Sequence, residues 1–276
     1  MNKKKISIGK ILLYVFLVIA SIAMIVPLIW MLSASVKPET QIFAFPIRWI
    51  PEKFMWSNYV KVFTLYPFMT YYINTIKIAV VVTLAQIITC SMAAYSFSKI
   101  KYPERDKLFL GYLSTMMVPF QVIMVPQFII MRMLGLMNTH TALILIGAFA
   151  PFGVFLFRQF FLTLPDELSE SARIDGCSEF GIYFKIILPL SKPAIGSVTI
   201  FTFVAAWNDF LAPLIYINTE DKKTLQLGMR NFQTLYESNY GQLMAAAVCA
   251  VVPTILVFLL AQDYFVKGIA TSGLKG

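Results

Sequence analysis

The residues of this chain whose types and spacing could do chemistry lie in a polar segment between two apolar stretches. Within this segment, Glu170, Arg173 and Asp175 are followed by Gly176, and Pro189 lies near its end. Charged groups at helical spacing offer charge-assisted hydrogen bonds to another surface. We call this segment the polar insert (residues 158–192). Its charged groups predict that it docks onto another surface.

Two more polar residues, Asn208 and Asp209, lie inside an apolar stretch. Burying an ionisable side chain in lipid is expensive, so Asp209 is a candidate functional residue. The alternative is that Asp209 lies near the external end of its stretch, or that it caps a kink together with Asn208. Pro213 follows closely enough to contribute to such a kink.

The remaining reactive side chains predict no site. Cys90, Cys177 and Cys249 are isolated, and their spacing fits neither a metal site nor a redox motif nor a disulfide framework. His140, the only histidine, lies in a short loop, whereas a metal site needs several ligands. The sequence therefore predicts no metal ion and no catalytic residue in this chain.

The composition of the chain indicates what kind of protein must hold these polar residues in position. Of 276 residues, 58% are hydrophobic and 13% are charged, whereas soluble domains carry about 25% charged residues. So many apolar side chains cannot be hidden in one water-soluble core, and we predict an integral membrane protein. The net charge of +9 then marks the cytoplasmic side and does not indicate nucleic-acid binding.

Six apolar runs approach the roughly 20 residues that cross the hydrocarbon core of a membrane. They cover residues 11–33, 72–97, 108–131, 142–157, 194–216 and 243–265. The predicted fold class is thus all-α, a polytopic membrane protein with six transmembrane helices. Its parts would be an N-terminal helix with the first external loop (1–71), a transmembrane core that contains the polar insert (72–266) and a C-terminal tail (267–276).

Basic residues set the orientation. Lysines and arginines concentrate in the N-terminus, in residues 98–107, in the polar insert and in the tail, which all fall on one side if there are six spans. Because positive charge is enriched on the cytoplasmic side, both termini and the polar insert are predicted to be cytoplasmic. The external loops would then cover residues 36–71, 132–141 and 217–242.

The polar insert is predicted to form two short helices joined by a turn. Pro165 suits the first turn of a helix and Gly176 suits its end. Ser178 is a good cap for a second helix, which carries apolar side chains at helical spacing on one face. Such a shape can dock into a groove on a partner protein, or rest on lipid at the membrane surface.

The polar insert resembles the EAA loop of ABC importer permeases. The matching residues are Glu170, Ala172, Asp175, Gly176, Ile186, Leu188 and Pro189. Ser171 and Cys177 replace the usual alanines, but both side chains are small. The fixed spacing of the match and its place before the penultimate span favour this resemblance over a helix that merely rests on lipid.

Other segments resemble the carbohydrate-uptake branch of that family, and in particular the shorter permease of maltose-type transporters. They include residues 93–95, 117–122, 134–136 and 207–210. The resemblance covers nearly the whole chain. It implies a type I ABC importer permease that moves a sugar or oligosaccharide across the bacterial cytoplasmic membrane by alternating access.

The chain has no glycine-rich phosphate-binding loop of its own, so another subunit must hydrolyse ATP. The resemblance implies what that subunit and the other partners are. A cytoplasmic ATPase dimer would bind ATP and Mg²⁺ and hydrolyse the ATP, so this chain would be a transport subunit and not an enzyme. A second, different permease, an extracellular or periplasmic sugar-binding protein and membrane lipid complete the expected partners. We expect no cofactor on this chain and no nucleic acid among its partners.

In such permeases the EAA loop docks into a groove of the ATPase. Glu170 would make a polar or charge-assisted contact there, Ala172 and Gly176 would allow close approach, and Leu188 with Pro189 would stiffen the link to the next span. The residues expected to couple to the ATPase are Glu170, Ser171, Ala172, Asp175, Gly176, Cys177, Leu188 and Pro189.

Sugar binding needs aromatic stacking and amide hydrogen bonds. The residues that could supply these contacts are Tyr95, Gln121, Trp207, Asn208 and Asp209. The alternative is that the aromatic side chains face lipid or pack between helices. In similar maltose-type transporters the longer permease holds most of the sugar contacts.

Two further segments have alternative roles. Residues 217–242 would reach the binding protein or serve as a plain connector. The C-terminal tail would reach into the ATPase dimer or would be a frayed terminus.

Three other functions are alternatives. An ABC importer for a non-sugar solute, such as glycerol phosphate or a peptide-like compound, would share the same polar insert. A stand-alone secondary transporter or channel would work without ATP and would contain inverted repeats with broken helices, which the sequence does not predict. A membrane enzyme would need a cluster of ionisable residues within its spans, and Asp209 has no evident partner there.

Overall fold

The part of the chain that the structure describes is mainly helical. The computed structural model describes residues 8–232 and 239–273, and every regular element within these ranges is a helix. The predicted all-α fold class is therefore confirmed.

Fifteen α-helices follow one another along the described residues. They are α1 (Ile8–Ser35), α2 (Glu39–Ile42), α3 (Ser57–Leu65), α4 (Phe68–Lys99), α5 (Arg105–Ser114), α6 (Phe120–Met133), α7 (His140–Gly147), α8 (Pro151–Phe161), α9 (Glu167–Ile174), α10 (Glu179–Ile182), α11 (Leu188–Leu190), α12 (Lys192–Trp207), α13 (Leu211–Tyr216), α14 (Leu225–Met229) and α15 (Tyr240–Gly273). A π-helix (Tyr183–Ile187) and three 3₁₀ helices (Thr115–Met117, Glu220–Lys222 and Arg230–Phe232) lie between them.

Three of these helices are long and apolar enough to cross a membrane alone. They are α1, α4 and the Tyr240–Asp263 part of α15. Three pairs of helices meet the same criteria only when joined, and each pair is bent. The bends are 97° between Arg105–Met117 and Phe120–Met133, 41° between α7 and α8, and 78° between Glu179–Leu190 and α12. Among the described residues there are thus three candidate spans, or up to six if each bent pair forms one span.

The predicted third span, residues 108–131, is not a single helix. The helical turns after α5 end at Met117, and α6 begins at Phe120, directly after Pro119. Val118 has extended backbone, with φ −81° and ψ 112°. This conformation is expected before a proline, because the proline ring crowds the helical conformation of the preceding residue.

The predicted fifth span, residues 194–216, is also interrupted. α12 ends at Trp207 and α13 begins at Leu211. Asp209 Oδ1 accepts a hydrogen bond from the Ala212 amide at 3.2 Å, and the carboxylate thereby caps the first turn of α13. This geometry agrees with the alternative in which Asp209 caps a kink, and the expectation that the chain has no broken helices was wrong.

Side chains of α4 satisfy the backbone at the break between α7 and α8. Gln86 Nε2 donates to the Gly147 carbonyl at 2.6 Å, and Thr89 Oγ1 donates to the Ala148 carbonyl at 2.7 Å. Backbone groups inside a membrane must find partners within the protein, so these side chains permit the break. Gly147 also allows close approach, since a Cβ there would lie 2.9 Å from Val82 Cγ1.

The chain divides into two compact units. The first unit contains the described residues up to Phe68 together with 229–232 and 239–251. In this unit α1 buries none of its most apolar stretch within the chain. Glu39 accepts hydrogen bonds from the Tyr240 and Gly241 amides at 2.9 and 3.0 Å, so a carboxylate caps the start of α15.

The second unit contains residues 69–228 and the described residues from 252 onward. One buried cluster in it joins α4, α8 and the polar insert, with Phe157 and Ile182 fully buried. Another joins α4, α7 and α13 around Leu143 and Tyr216. The second unit therefore holds both the polar insert and the break that contains Asp209.

Candidate functional site

The first helix of the polar insert ends in a Schellman motif. α9 ends at Ile174, and Gly176 follows with φ +80°. The Cys177 amide donates to the Ala172 carbonyl at 2.9 Å, and the Gly176 amide donates to the Arg173 carbonyl at 3.0 Å. A left-handed glycine with these two bonds is a common helix stop, so the predicted end of this helix is confirmed.

The second helix of the insert starts from the predicted serine cap. Ser178 Oγ accepts a hydrogen bond from the Gly181 amide at 3.2 Å, at the start of α10. The π-helix Tyr183–Ile187 and α11 continue this helix as far as Leu190. A π-turn adds one residue to a helical turn and so changes which side chains face each neighbour.

The residues predicted to couple to a partner differ in how exposed they are. Those that are exposed are Glu170, Ser171, Asp175, Gly176, Cys177 and Pro189. Ala172 is only 6% exposed and belongs to a hydrophobic cluster of its own unit, against which Leu188 also packs. The small side chain of Ala172 thus lets α9 approach the rest of this chain, and its expected role in close approach to the ATPase stays a prediction.

Apolar side chains flank the exposed face of the insert. Ile174 is 87% exposed and Phe180 is 66% exposed. Exposed apolar groups next to charged ones mark a surface that binds another protein or a membrane. The exposed face of α9 and α10 therefore has the composition of a docking surface.

A short chain of hydrogen bonds connects both helices of the insert to α4. Arg173 Nε donates to Glu179 Oε1 at 2.7 Å, and the Tyr95 hydroxyl donates to Glu179 Oε2 at 2.6 Å. Tyr95 lies near the end of α4 and is buried. The hydrogen bond to Glu179 raises the pKa of Arg173 above its usual value. One carboxylate thus joins the exposed helix to a long apolar helix.

Two further contacts hold the insert to α4. Lys99 Nζ donates to the Leu164 carbonyl at 2.7 Å and to Asp166 Oδ1 at 2.6 Å. The hydrogen bond from Lys99 holds the pKa of Asp166 below its usual range. Deeper in the unit, the hydroxyl oxygens of Ser91 and Tyr183 lie 2.6 Å apart. Hydrogen bonds therefore attach the insert to α4 at several separate places.

The structure does not bring the predicted substrate residues to one place. Tyr95 lies against the polar insert through its bond to Glu179. Trp207 is buried, and Gln121 is exposed on α6. Asn208 Oδ1 accepts a hydrogen bond from Gln226 Nε2 at 3.2 Å.

Asp209 lines a cavity of about 280 Å³ inside the second unit, and none of the other predicted substrate residues lines that cavity. Gln86, Thr202 and Thr224 line the same cavity, and sequence reasoning missed all three. A glutamine within an apolar span is a signal that could have found Gln86. Within the described residues, no group of three or more His, Cys, Asp or Glu side chains could hold a metal ion.

Over residues 91–271 the chain matches a family model described as "Binding-protein-dependent transport system inner membrane component". It is 38% identical to an arabinooligosaccharides transport system permease protein of Halalkalibacterium halodurans, over 95% of this chain and 94% of that protein. The protein of the same description from Bacillus subtilis is 33% identical, over 100% of this chain and 99% of that protein. An sn-glycerol-3-phosphate transport system permease protein of Pectobacterium atrosepticum is 31% identical, over 94% of this chain and 95% of that protein.

The fold is similar to a chain in the crystal structure of a bacterial ABC transporter involved in the import of the acidic polysaccharide alginate. The TM-score is 0.82 at 25% identity, and the match covers 96% of this chain and 99% of that chain. The helices, the insert with its glycine stop and the matches along nearly the whole chain agree with one another. The chain therefore belongs to the inner membrane components of binding-protein-dependent transport systems, the permease subunits of ABC transporters.

Proposed function

We propose that this chain is one of two different permease subunits in an importer that moves a carbohydrate across the cytoplasmic membrane by alternating access. As a member of its family it is a transport component of the membrane and not an enzyme. A partner ATPase dimer binds ATP with Mg²⁺ and hydrolyses it. A sugar-binding protein outside the membrane delivers the solute.

The polar insert is the observation that carries this proposal. Its outer side exposes Glu170, Gly176 and Ile174 to a partner, while its inner side is hydrogen-bonded to α4 through Glu179. A segment that docks on one side and is attached to a long helix on the other suits transmission of a rigid-body motion. Closure of the ATPase dimer would move α9, and the Glu179 link would pass this motion to α4.

Charges near the insert support a cytoplasmic location for it. A cavity of about 680 Å³ lies at the end of α4 where the insert is attached, and its charged lining consists of Lys99, Lys101, Arg105 and Lys107 with Glu104, Asp106 and Asp166. Positive charge is enriched on the cytoplasmic side of membrane proteins. The proposed location of the insert and of both termini is therefore the cytoplasm.

Two observations favour a sugar over a phosphate ester as the solute. Both arabinooligosaccharide permeases match this chain more closely than the glycerol-3-phosphate permease does. The described lining of the cavity that contains Asp209 includes no lysine or arginine. A phosphate group needs positive charge to replace its hydration, and a carboxylate would repel it.

Gly176 offers a sharp test of docking, because a matched glycine exists elsewhere. A Cβ at Gly176 would meet nothing within 4 Å. Gly135 has φ +68° and equally open space, and the amides of Gly135 and Leu136 make the same two Schellman bonds at the end of α6. Valine at either position therefore strains the backbone of this chain to a similar extent.

Gly176→Val should lower ATPase recovery and ATP-driven uptake by about tenfold or more, the loss expected from removing a central interface contact. Recovery is measured by co-purification with the tagged permease, and uptake in proteoliposomes that contain the complete importer. Gly135→Val should change neither quantity, whereas Glu170→Lys should reduce both. Equal recovery and uptake in the two glycine variants would contradict docking through the insert.

The solute is tested in the same proteoliposomes. Radiolabelled arabinotriose, lactose and glycerol 3-phosphate are each supplied with the binding protein whose gene neighbours this permease. We expect uptake of at least one of the two sugars and none of glycerol 3-phosphate. Uptake of glycerol 3-phosphate alone would establish the non-sugar importer instead.

A further inference from the structure

A cavity inside the second unit contains a buried hydroxyl group that the chain leaves without a partner. The cavity has a volume of about 280 Å³, and its lining comes from α4, α7, α12, α13 with the break before it, and the segment before α14. Thr224 lines it and is 4% exposed, and its Oγ1 makes no hydrogen bond. Because an unpaired buried hydroxyl is costly, a bound ligand that pairs with Thr224 would gain from doing so.

Other polar groups of this cavity are held in fixed positions. Thr202 Oγ1 donates to Gln86 Oε1 at 2.7 Å, and Gln86 Nε2 donates to the Gly147 carbonyl at 2.6 Å. Asp209 Oδ1 accepts from the Ala212 amide at 3.2 Å. These bonds orient the side chains before a ligand enters, which reduces the entropy lost on binding.

The same groups keep hydrogen-bonding capacity for a ligand. A carboxylate offers about four acceptor positions over its two oxygens, so Asp209 can cap α13 and still accept from a ligand hydroxyl. The hydroxyl oxygen of Thr202 can accept, and the hydroxyl of Thr224 can both donate and accept. This mixture fits a ligand that carries several neighbouring hydroxyl groups.

The remaining lining is mostly apolar and includes Ile78, Val82, Leu143 and Ile146. A sugar ring has hydroxyl groups around its edge and C–H groups on its faces, so polar and apolar walls in one cavity complement it. Small-molecule pockets begin at roughly 300 Å³. A cavity of about 280 Å³ lies close to this lower limit, so it suits one ring and not an oligosaccharide.

We propose that this cavity is a binding subsite for one sugar ring of the solute, held by Thr224, Asp209 and the Thr202–Gln86 pair. The proposal rests on the proposed function, since it assumes that the importer carries a carbohydrate. It adds that this permease itself contacts the solute. That differs from the expectation that the partner permease holds most of the sugar contacts.

The subsite is tested with Thr224→Val, which replaces the hydroxyl with a methyl group of similar size. Thr83→Val is the matched control, because Thr83 is 5% exposed in α4 and its hydroxyl is already bonded to the Ala79 carbonyl. The complete importer with its binding protein is placed in proteoliposomes. Uptake of radiolabelled arabinotriose and lactose is divided by the ATP hydrolysed.

Thr224→Val should lower the sugar moved per ATP by about two- to tenfold, the range expected for one lost hydrogen bond. ATPase recovery should stay as in the wild type because the complex still assembles, and Thr224→Ser, which keeps the hydroxyl, should restore most of the ratio. Thr83→Val should leave the ratio unchanged. Asp209→Asn should lower it, since an amide accepts fewer hydrogen bonds than a carboxylate.

Three results would overturn the subsite. If wild-type importer moves a sugar and Thr224→Val moves as much sugar per ATP as Thr83→Val, the cavity holds only water and the proposed function stands. If Thr224→Ser fails as completely as Thr224→Val, the position matters for packing and not for its hydroxyl. Wild-type importer that moves neither sugar contradicts the proposed function itself, and the subsite with it.

Discussion

At the scale of single residues, Glu179 is where the two helices of the polar insert and α4 meet. Its bond to Arg173 is partly exposed, with side-chain exposures of 38% for Arg173 and 43% for Glu179, and exposed ion pairs contribute only about 0–1 kcal/mol. Its bond to the buried Tyr95 hydroxyl joins a neutral donor to a charged acceptor, which is typically worth about 1.5–3 kcal/mol. The Tyr95 bond is therefore the stronger of the two links.

Tyr95→Phe should weaken coupling while leaving the fold intact. The ring stays in place, but the link from Glu179 to α4 is lost, so sugar uptake per ATP hydrolysed should fall several-fold in reconstituted importer. Tyr59→Phe is the control, because it removes a hydroxyl that lies 2.8 Å from Ser35 Oγ in the first unit. A Tyr95→Phe importer that matches Tyr59→Phe in uptake per ATP would show that the link carries no motion.

Asp166 should give the insert a dependence on acid pH. Its pKa in the folded protein is lowered, chiefly by the hydrogen bond from Lys99. A carboxyl with a lowered folded pKa stabilises the folded state above its unfolded pKa, and this contribution is lost as pH falls through the folded pKa. The stabilisation by Asp166 should therefore begin to decrease at pH ~4 and should decrease further at lower pH.

The measurement is the thermal unfolding of the detergent-purified chain as pH falls from about 6 to about 3. Asp166→Asn should show a shallower decrease in melting temperature than the wild type. The Asp166 side chain is 64% exposed, so solvent screening keeps its contribution below about 1 kcal/mol. Identical pH dependence in both proteins would mean that Lys99 does not stabilise the ionised carboxylate.

At the scale of elements, α4 connects the exposed insert to the interior of the second unit. Near its end it bonds the insert through Tyr95 and Lys99, and further back Gln86 and Thr89 support the break between α7 and α8. Tyr95 and Gln86 are separated along the helix axis by about 14 Å, at 1.5 Å per residue. A displacement of α4 by the insert would thus act directly on the wall of the cavity.

Substitutions at two helix caps distinguish an effect on stability from an effect on docking. Ser178 Oγ caps α10 in the insert, and Thr139 Oγ1 caps α7 by accepting from the Ala142 amide at 3.3 Å. Ser178→Ala and Thr139→Ala should each cost about 1 kcal/mol of stability. Only Ser178→Ala should also lower ATPase recovery in co-purification, because only α10 lies in the insert. Equal loss of ATPase in both variants would assign the effect to stability alone.

At the scale of the whole molecule, the proposed orientation can be tested with a native cysteine. Cys177 is exposed, whereas Cys90 is buried. A membrane-impermeant maleimide should label Cys177 in inside-out vesicles and not in intact cells, because the insert is proposed to be cytoplasmic. Binding of the ATPase should slow this labelling, since Cys177 lies directly after Gly176 in the docking surface.

Two variants control the labelling experiment. Cys177→Ser should remove the label from inside-out vesicles. Asn218→Cys in that background should label in intact cells, because Asn218 is exposed and belongs to a loop predicted to be external. Labelling of Cys177 from outside the cell would reverse the orientation and remove the ATPase as the partner of the insert.

Several features could be predicted because they depend on composition or on a few neighbouring residues. Low charge and high hydropathy determined the membrane class and the all-α fold. The stop at Gly176 and the cap at Ser178 were also predictable, since both rest on hydrogen bonds between residues close in sequence. The spacing of small, acidic and proline residues in the insert was enough to indicate the family.

Only the tertiary structure decided which distant side chains meet. Tyr95 was assigned to the solute but bonds Glu179 in the insert, and Thr202 bonds Gln86 across the second unit. Apolar residues occupy nearly every face of a membrane helix, so the sequence does not indicate which face turns inward. The rotation of each helix and the places where helices break follow from packing against neighbours, and these determine that Thr224 and Asp209 share one cavity.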